Sequence, residues 1–200
     1  MSSPRIFIFV GRSGCGKGTQ ATLLLKALKA KDPTTPQLYI ETGKNFRSFV
    51  EQPGFTGSLI KKFLDAGQRL PDFMAVWNWA RILADQYLGQ EHLVFDGVSR
   101  SKPEAEIFAT AATFYNWVEP TVINLVVSND WSRERLLARG RDDDKNLADI
   151  EQRLSWFDAE VVPALEYFKA NPTFKFVEVF GERPIEVIHQ NILKLTGLAN

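Results

Sequence analysis

The sequence predicts an α/β fold, a five-stranded parallel sheet flanked by helices. Three observations predict it. Short apolar runs such as IFIFV at residues 6–10 lack the in–out alternation of a half-exposed strand, as expected when both faces of a strand are buried. Longer segments of helical periodicity alternate with these runs. A glycine-rich turn joins the first run to the first helix.

Taken in order, residues 6–10 read as the first strand and residues 19–30 as a helix with Leu24, Leu25 and Leu28 on one stripe. Residues 32–36 break it, and residues 38–40 form a short strand. Two or three short helices fill residues 44–67, and a longer one runs from Pro71 to about Leu88. Residues 93–95 are a buried strand with Asp96 at its end. A helix over 103–115, a strand over 122–127 and a helix over 131–139 follow. Residues 147–170 have helical spacing that Pro163 bends or divides. Residues 174–179 are the last strand, and 184–195 a helix opened by proline. The whole chain reads as one domain, with residues 41–70 and about 139–149 as insertions between core elements.

Lys plus Arg equals Asp plus Glu, 24 each, in 200 residues, so the net charge gives no bulk attraction to nucleic acid or to an anionic membrane. Anion binding must be local. No run approaches the ~20 apolar residues needed to span a bilayer. Cys15 is the single cysteine and a reducing, cytoplasmic setting is expected, with no nucleic-acid or membrane partner. His92 and His189 have no second ligand nearby in sequence and read as structural, as do the tryptophans.

The strongest local signal is GRSGCGKGTQ at residues 11–20, between a strand and a helix. Glycines let backbone N–H groups curl around phosphate oxygens, and the helix N-terminus adds a favourable dipole. Lys17 can reach the β- and γ-phosphates as a point charge. Gly18 occupies the place where a phosphate-binding loop usually has its hydroxyl, and Thr19 supplies that hydroxyl one residue later. Asp96, at a strand's C-terminal end, faces the crevice where α/β sheets bind ligands, and its carboxylate suits a hydrated magnesium ion. Arg100 can fork onto a phosphate. The alternative is a turn aspartate with a surface arginine.

These residues resemble the adenylate kinases and their relatives, the nucleoside monophosphate kinases of the P-loop fold, which carry GxPGxGKGTQ. ETGKNFR at 41–47 is similar to the family's STGDLLR, with Thr42, Gly43 and Arg47 matching and Glu41, Lys44 and Asn45 departing. Residues 67–72 (GQRLPD) and 93–100 (LVFDGVSR) are similar to G-x-x-V/I-P-D and FLLDGFPR. Arg135, Arg139, Arg141 and Arg153, with the acidic run 142–144, are similar to the lid of the short-form enzymes, although the loop between Arg139 and Arg141 is shorter. The resemblance covers residues 5–195.

The resemblance implies strand order 2-3-1-4-5 and transfer of a phosphoryl group from Mg·ATP to a monophosphate, AMP favoured. The runner-up acceptors are UMP and CMP. A P-loop ATPase or an inactive nucleotide sensor are the readings from other classes. ATP is expected at Gly14, Cys15, Gly16, Lys17, Gly18, Thr19, Arg135 and Arg139. The monophosphate is expected at Thr42, Gly43, Arg47, Gly97, Arg100 and Glu104. Lys17, Arg100, Arg135, Arg141 and Arg153 carry catalysis, with Mg²⁺ at Thr19 and Asp96, through water. A monomer is implied, and no zinc, since the lid lacks a Cys or His cluster. Glu104 stands where the family has the glutamine that reads adenine. As an ionised group it only accepts hydrogen bonds, so it holds an exocyclic amino group but cannot donate to N1. The alternative is that Glu104 only begins the helix after Pro103 and points to solvent.

Overall fold

The computed structural model describes residues 4–51, 53–140 and 147–199. Five parallel strands form one sheet, β1 (Ile6–Gly11), β2 (Gln37–Glu41), β3 (His92–Asp96), β4 (Thr121–Val126) and β5 (Lys175–Phe180). Their order is β2-β3-β1-β4-β5, as the resemblance implied. Register places Ile8 opposite both Phe95 and Val122, so β1 is the central strand. Parallel neighbours need a crossover, and helices supply it.

Successive side chains leave a strand on opposite faces. Ile6, Ile8 and Val10 therefore join one core with Phe95, Val122, Trp79, Phe108 and Phe168, while Phe7 and Phe9 join another with Val94, Ile123, Leu24 and Ile192. Helices α1 (Lys17–Lys31) and α9 (Ile185–Leu195) cover the second face. The first is covered by α4 (Asp72–Gln86), α5 (Lys102–Phe114) and α8 (Val162–Ala170). Between β2 and α4, helices α2 (Thr42–Val50) and α3 (Phe55–Asp65) build a small core of their own from Phe46, Ile60, Leu70 and Met74. Helices α6 (Asn129–Arg139) and α7 (Leu147–Trp156) share a fourth cluster, Leu136, Ile150 and Leu154.

The expected long helix over 147–170 is divided. A π-helical turn spans Phe157–Val161, and the Val162 N–H bonds Phe157 O. Pro163 has no N–H to offer one turn back, and the wider turn accommodates the missing bond and the ring.

Phe108 is fully buried, with ring centroids 5.0 Å from Phe95, 5.3 Å from Trp79 and 5.6 Å from Trp117. Truncation leaves a cavity that these rings cannot all fill. Phe108→Ala is expected to cost about 3–5 kcal/mol in urea unfolding. A loss below about 1 kcal/mol would show that the aromatic cluster collapses freely around the gap.

Candidate nucleotide site

Two loops leave neighbouring strands, and they lie side by side. β1 runs into residues 12–16, and β3, its neighbour, runs into residues 97–101. From β1 the chain crosses to β2 on one side of the sheet, and from β3 it crosses to β4 on the other. Such a reversal opens a crevice at the strands' C-terminal ends. A cleft of about 800 Å³ occupies it.

On one wall is the glycine loop. Gly16 caps α1 in the left-handed region, φ 94°, with no side-chain cap and no acidic residue in the first turn. The helix therefore presents uncapped N–H groups and the positive end of its dipole to the cleft. Lys17 Nζ folds back onto the loop and donates to Gly11 O at 2.8 Å and Arg12 O at 2.9 Å. Gly14, Gly16, Lys17, Gly18 and Thr19 all line the cleft. Cys15 turns its side chain away from the cleft. Its side chain is buried in the core against α1, and its N–H bonds Arg12 O at 3.2 Å. Its Sγ also lies 3.6 Å from Lys17 Nζ.

Asp96, at the tip of β3, is nearly buried, and its Oδ2 accepts from the Tyr39 hydroxyl at 3.1 Å. Burial pushes the Tyr39 phenol well above its ordinary pKa, and the carboxylates of Asp96 and Glu41 push it further. Among the described residues no three His, Cys, Asp or Glu side chains cluster as metal ligands. Asp96 and Thr19 offer hard oxygen donors beside the loop, which fits a magnesium ion held largely by water and phosphate.

Beside the glycine loop the cleft is lined by Thr42, Gly43, Arg47, Gly97, Arg100 and Glu104. The buried Thr42 hydroxyl donates to Gly97 O at 2.9 Å, tying the start of α2 to the β3 loop. Arg100 Nε donates to the same carbonyl at 2.8 Å. Gly97 has φ 84°, and a Cβ there would collide with the Arg100 guanidinium and lie 3.1 Å from Thr42 Oγ1. The positive φ favours glycine there, and a side chain would also displace the Arg100 guanidinium from this position. Arg47 reaches Glu41 Oε1 at 3.4 Å.

Glu104 does not point to solvent. It is 1% exposed and its Oε2 accepts the Arg100 N–H at 2.7 Å, while Ser101 Oγ accepts the Glu104 N–H at 3.2 Å. This is close to a capping box, whose S-x-x-E signature stands in the sequence at 101–104. Oε1 has no partner within the protein. Burial pushes the carboxyl up, against the backbone N–H groups of Arg100 and Ser99, which favour the ionised form. A neutral carboxyl both donates and accepts, so burial favours a form that the acceptor-only expectation did not include.

Arg135, Arg139 and Arg153 all line the cleft. Arg135 stacks over Trp131 at 4.5 Å, and Arg153 is buried, its Nε donating to Asp149 O at 3.4 Å. Arg141 and the acidic run 142–144 lie outside the described residues. Two further polar or aromatic cleft residues, Tyr39 and Trp156, were not expected, while Arg69 lies within the GQRLPD run. Tyr39 stands inside a strand, Arg69 pairs with Asp72 at 2.6 Å and Glu160 at 3.4 Å, and Trp156 Nε1 donates to Gly67 O at 3.3 Å. For Trp156 the sequence did offer a place three residues after Arg153.

The adenylate kinase family model matches residues 9–173 of this chain. The chain belongs to the adenylate kinase family. An adenylate kinase of Corynebacterium glutamicum is 30% identical over 190 residues, covering 95% of this chain and 98% of the relative. Adenylate kinase 1 of a Synechocystis strain is 30% identical over 203 residues, covering 98% of each. An adenylate kinase of Corynebacterium urealyticum is 29% identical over 186 residues, covering 93% of this chain and 96% of the relative. Membership makes the protein a phosphotransferase of the nucleoside monophosphate kinase class.

Proposed function

We propose that the protein transfers the terminal phosphoryl group of Mg·ATP to AMP, forming two ADP. The observation that carries this reading is one cleft with two separate phosphate grips. The uncapped α1 N-terminus with Lys17 is one, and Arg47 and Arg100 around Gly43 and Gly97 are the other. A hydrolase has no use for the second. The relatives named above are adenylate kinases, which supports AMP as the acceptor.

The chemistry asks little of side chains beyond placement and charge. Lys17 exchanges the Gly11 and Arg12 carbonyls for phosphate oxygens. Arg47 exchanges Glu41 for the monophosphate, and Arg100 keeps Gly97 O while its terminal nitrogens take a phosphate oxygen. Arg135, Arg139 and Arg153 supply charge from the far wall, where exclusion of water strengthens it. A magnesium ion held at Asp96 and Thr19 through water would neutralise charge on the ATP phosphates.

An acceptor assay with Mg·ATP and AMP, CMP, UMP or GMP tests the assignment. AMP is expected to give the highest kcat/KM, and Lys17→Met to lower it by roughly 10²–10³-fold or more in a folded protein. ADP formed with no acceptor, or a folded Lys17→Met protein with near-normal turnover, overturns it.

The insertion at residues 41–70 closes over the bound nucleotides in this reading, which limits loss of ATP to water; most of the lid expected at about 139–149 lies outside the described residues. Small-angle scattering is expected to show a more compact particle with a bisubstrate analogue joining two adenosines. Superimposable profiles with and without bound analogue count against closure.

Glu104 generates a pH dependence. Adenine N1 accepts a hydrogen bond, so it pairs with the neutral acid, and the N6 amino group donates to the acid's carbonyl oxygen. Because burial raises the Glu104 pKa, the neutral form persists above the ordinary carboxylate range and is lost as pH rises through the raised value. AMP affinity relative to Glu104→Gln is therefore expected to fall as pH rises, since the amide does not titrate. A ratio of the two affinities that stays flat with pH removes Glu104 from base reading. The variant also cancels the opposing effect of the AMP phosphate's own ionisation.

A further inference from the structure

Tyr39 belongs to none of the motifs. It sits in the middle of β2, with Val94 of β3 as its register partner, and its ring packs on the α1 face of the sheet. From there the hydroxyl reaches toward the strand tips and donates to Asp96 Oδ2 at 3.1 Å. The same oxygen lies 3.2 Å from where a Cβ on Gly18 would be, and the Tyr39 hydroxyl lies 4.0 Å from that point. One residue of β2, one of β3 and one in the first turn of α1 thus meet at a single corner of the cleft.

We propose that Tyr39 is a positioning residue for the cation that accompanies ATP, holding the Asp96 carboxylate over the first turn of α1. This rests on the reading of ATP as the donor. The corner is tight on the α1 side. Any side chain at position 18 would press on Asp96 Oδ2, which gives the missing hydroxyl at that position a steric reason. Oδ2 is engaged by the phenol, so Asp96 turns as a unit with Tyr39, and Oδ1 is left for the waters around a cation. The carboxylate two residues further along β2, Glu41, is the register partner of Asp96 but is engaged by Arg47. It does not compete for the phenol. A hydrogen bond that aims a carboxylate acts on the metal-dependent part of nucleotide binding and not on the rest.

The test is calorimetric titration of wild type and Tyr39→Phe with a non-hydrolysable ATP analogue, once with Mg²⁺ and once with a chelator. Phenylalanine keeps the ring and its packing. Tyr39→Phe is expected to lower affinity for the Mg²⁺ complex by roughly 10-fold and to leave metal-free affinity as in wild type. In an Asp96→Asn background the same change is expected to have no further effect on the Mg²⁺ advantage. The proposal is overturned if Tyr39→Phe keeps the wild-type ratio of the two affinities, if both fall together as a packing defect would make them, or if its effect persists in Asp96→Asn. Failure of the donor assignment is distinct, because it shows in the wild-type arm as an analogue that does not bind.

Discussion

The parallel register of β1, β2 and β3 is the constraint on which the rest depends. It sets Phe9 opposite Asp96 and Asp96 opposite Glu41, so β2 and β3 end at one level, β1 runs two residues beyond it, and their following loops reach one place. A slip of one residue would turn the alternating faces over and send Ile8 and Phe95 to the wrong cores. The apolar energy of two buried faces therefore also fixes where a carboxylate, a glycine loop and an arginine stand. The site inherits its precision from the sheet, since the loops that form it begin at strand tips that cannot move independently.

The charges around the cleft are arranged in advance of any ligand. Arg47 rests on Glu41, Arg69 on Asp72 and Glu160, and Lys17 on two backbone carbonyls. Burial raises Asp72, but hydrogen bonds from Arg69 and Ser101 outweigh it and keep the carboxyl below its ordinary value. Partly solvated pairs of this kind are worth about 1 kcal/mol or less, so a phosphate displaces them at little cost. Their effect is to hold the cations close to where the ligand needs them. The entropy of ordering long side chains is lost during folding and is not lost again on binding.

Much of this was legible in the sequence because it is local. GKGTQ after an unalternating apolar run specifies strand, loop and helix within fifteen residues, and the DGVSR run places Asp96, Gly97 and Arg100 the same way. The capping signature at 101–104 was also visible. What it could not disclose is that the helix start is covered, which makes a solvated glutamate into a buried acid with one oxygen unpartnered. Tyr39 was missed for a related reason. Its partner lies 57 residues away, and only sheet pairing brings the two together. Pro163 announced a break in the long helix, yet the break takes the form of an added residue in one turn, which a period count does not distinguish from a bend.

That extra residue ties the phosphate loop to the far wall. In a regular helix the side chains after Arg153 would keep one phase. The π turn rotates the helical residues beyond it, and π turns tend to occur at functional places. Ahead of it, Arg153 and Trp156 line the cleft. Within it, Phe157 and Val161 enter the core, while Asp158 pairs with Arg12 at 2.6 Å and the Arg12 guanidinium lies 4.3 Å from the Phe157 ring. Arg12 is itself part of the loop, and its carbonyl accepts from both Lys17 and the Cys15 N–H. When Lys17 lets go of that carbonyl, the loop keeps its attachment through the Arg12 side chain. Arg153, little more than one turn before Asp158 along the same rod, keeps its position relative to the phosphate cradle. The helix defect and the glycine loop thus meet at Arg12, whose guanidinium spans Asp158 and the Phe157 ring.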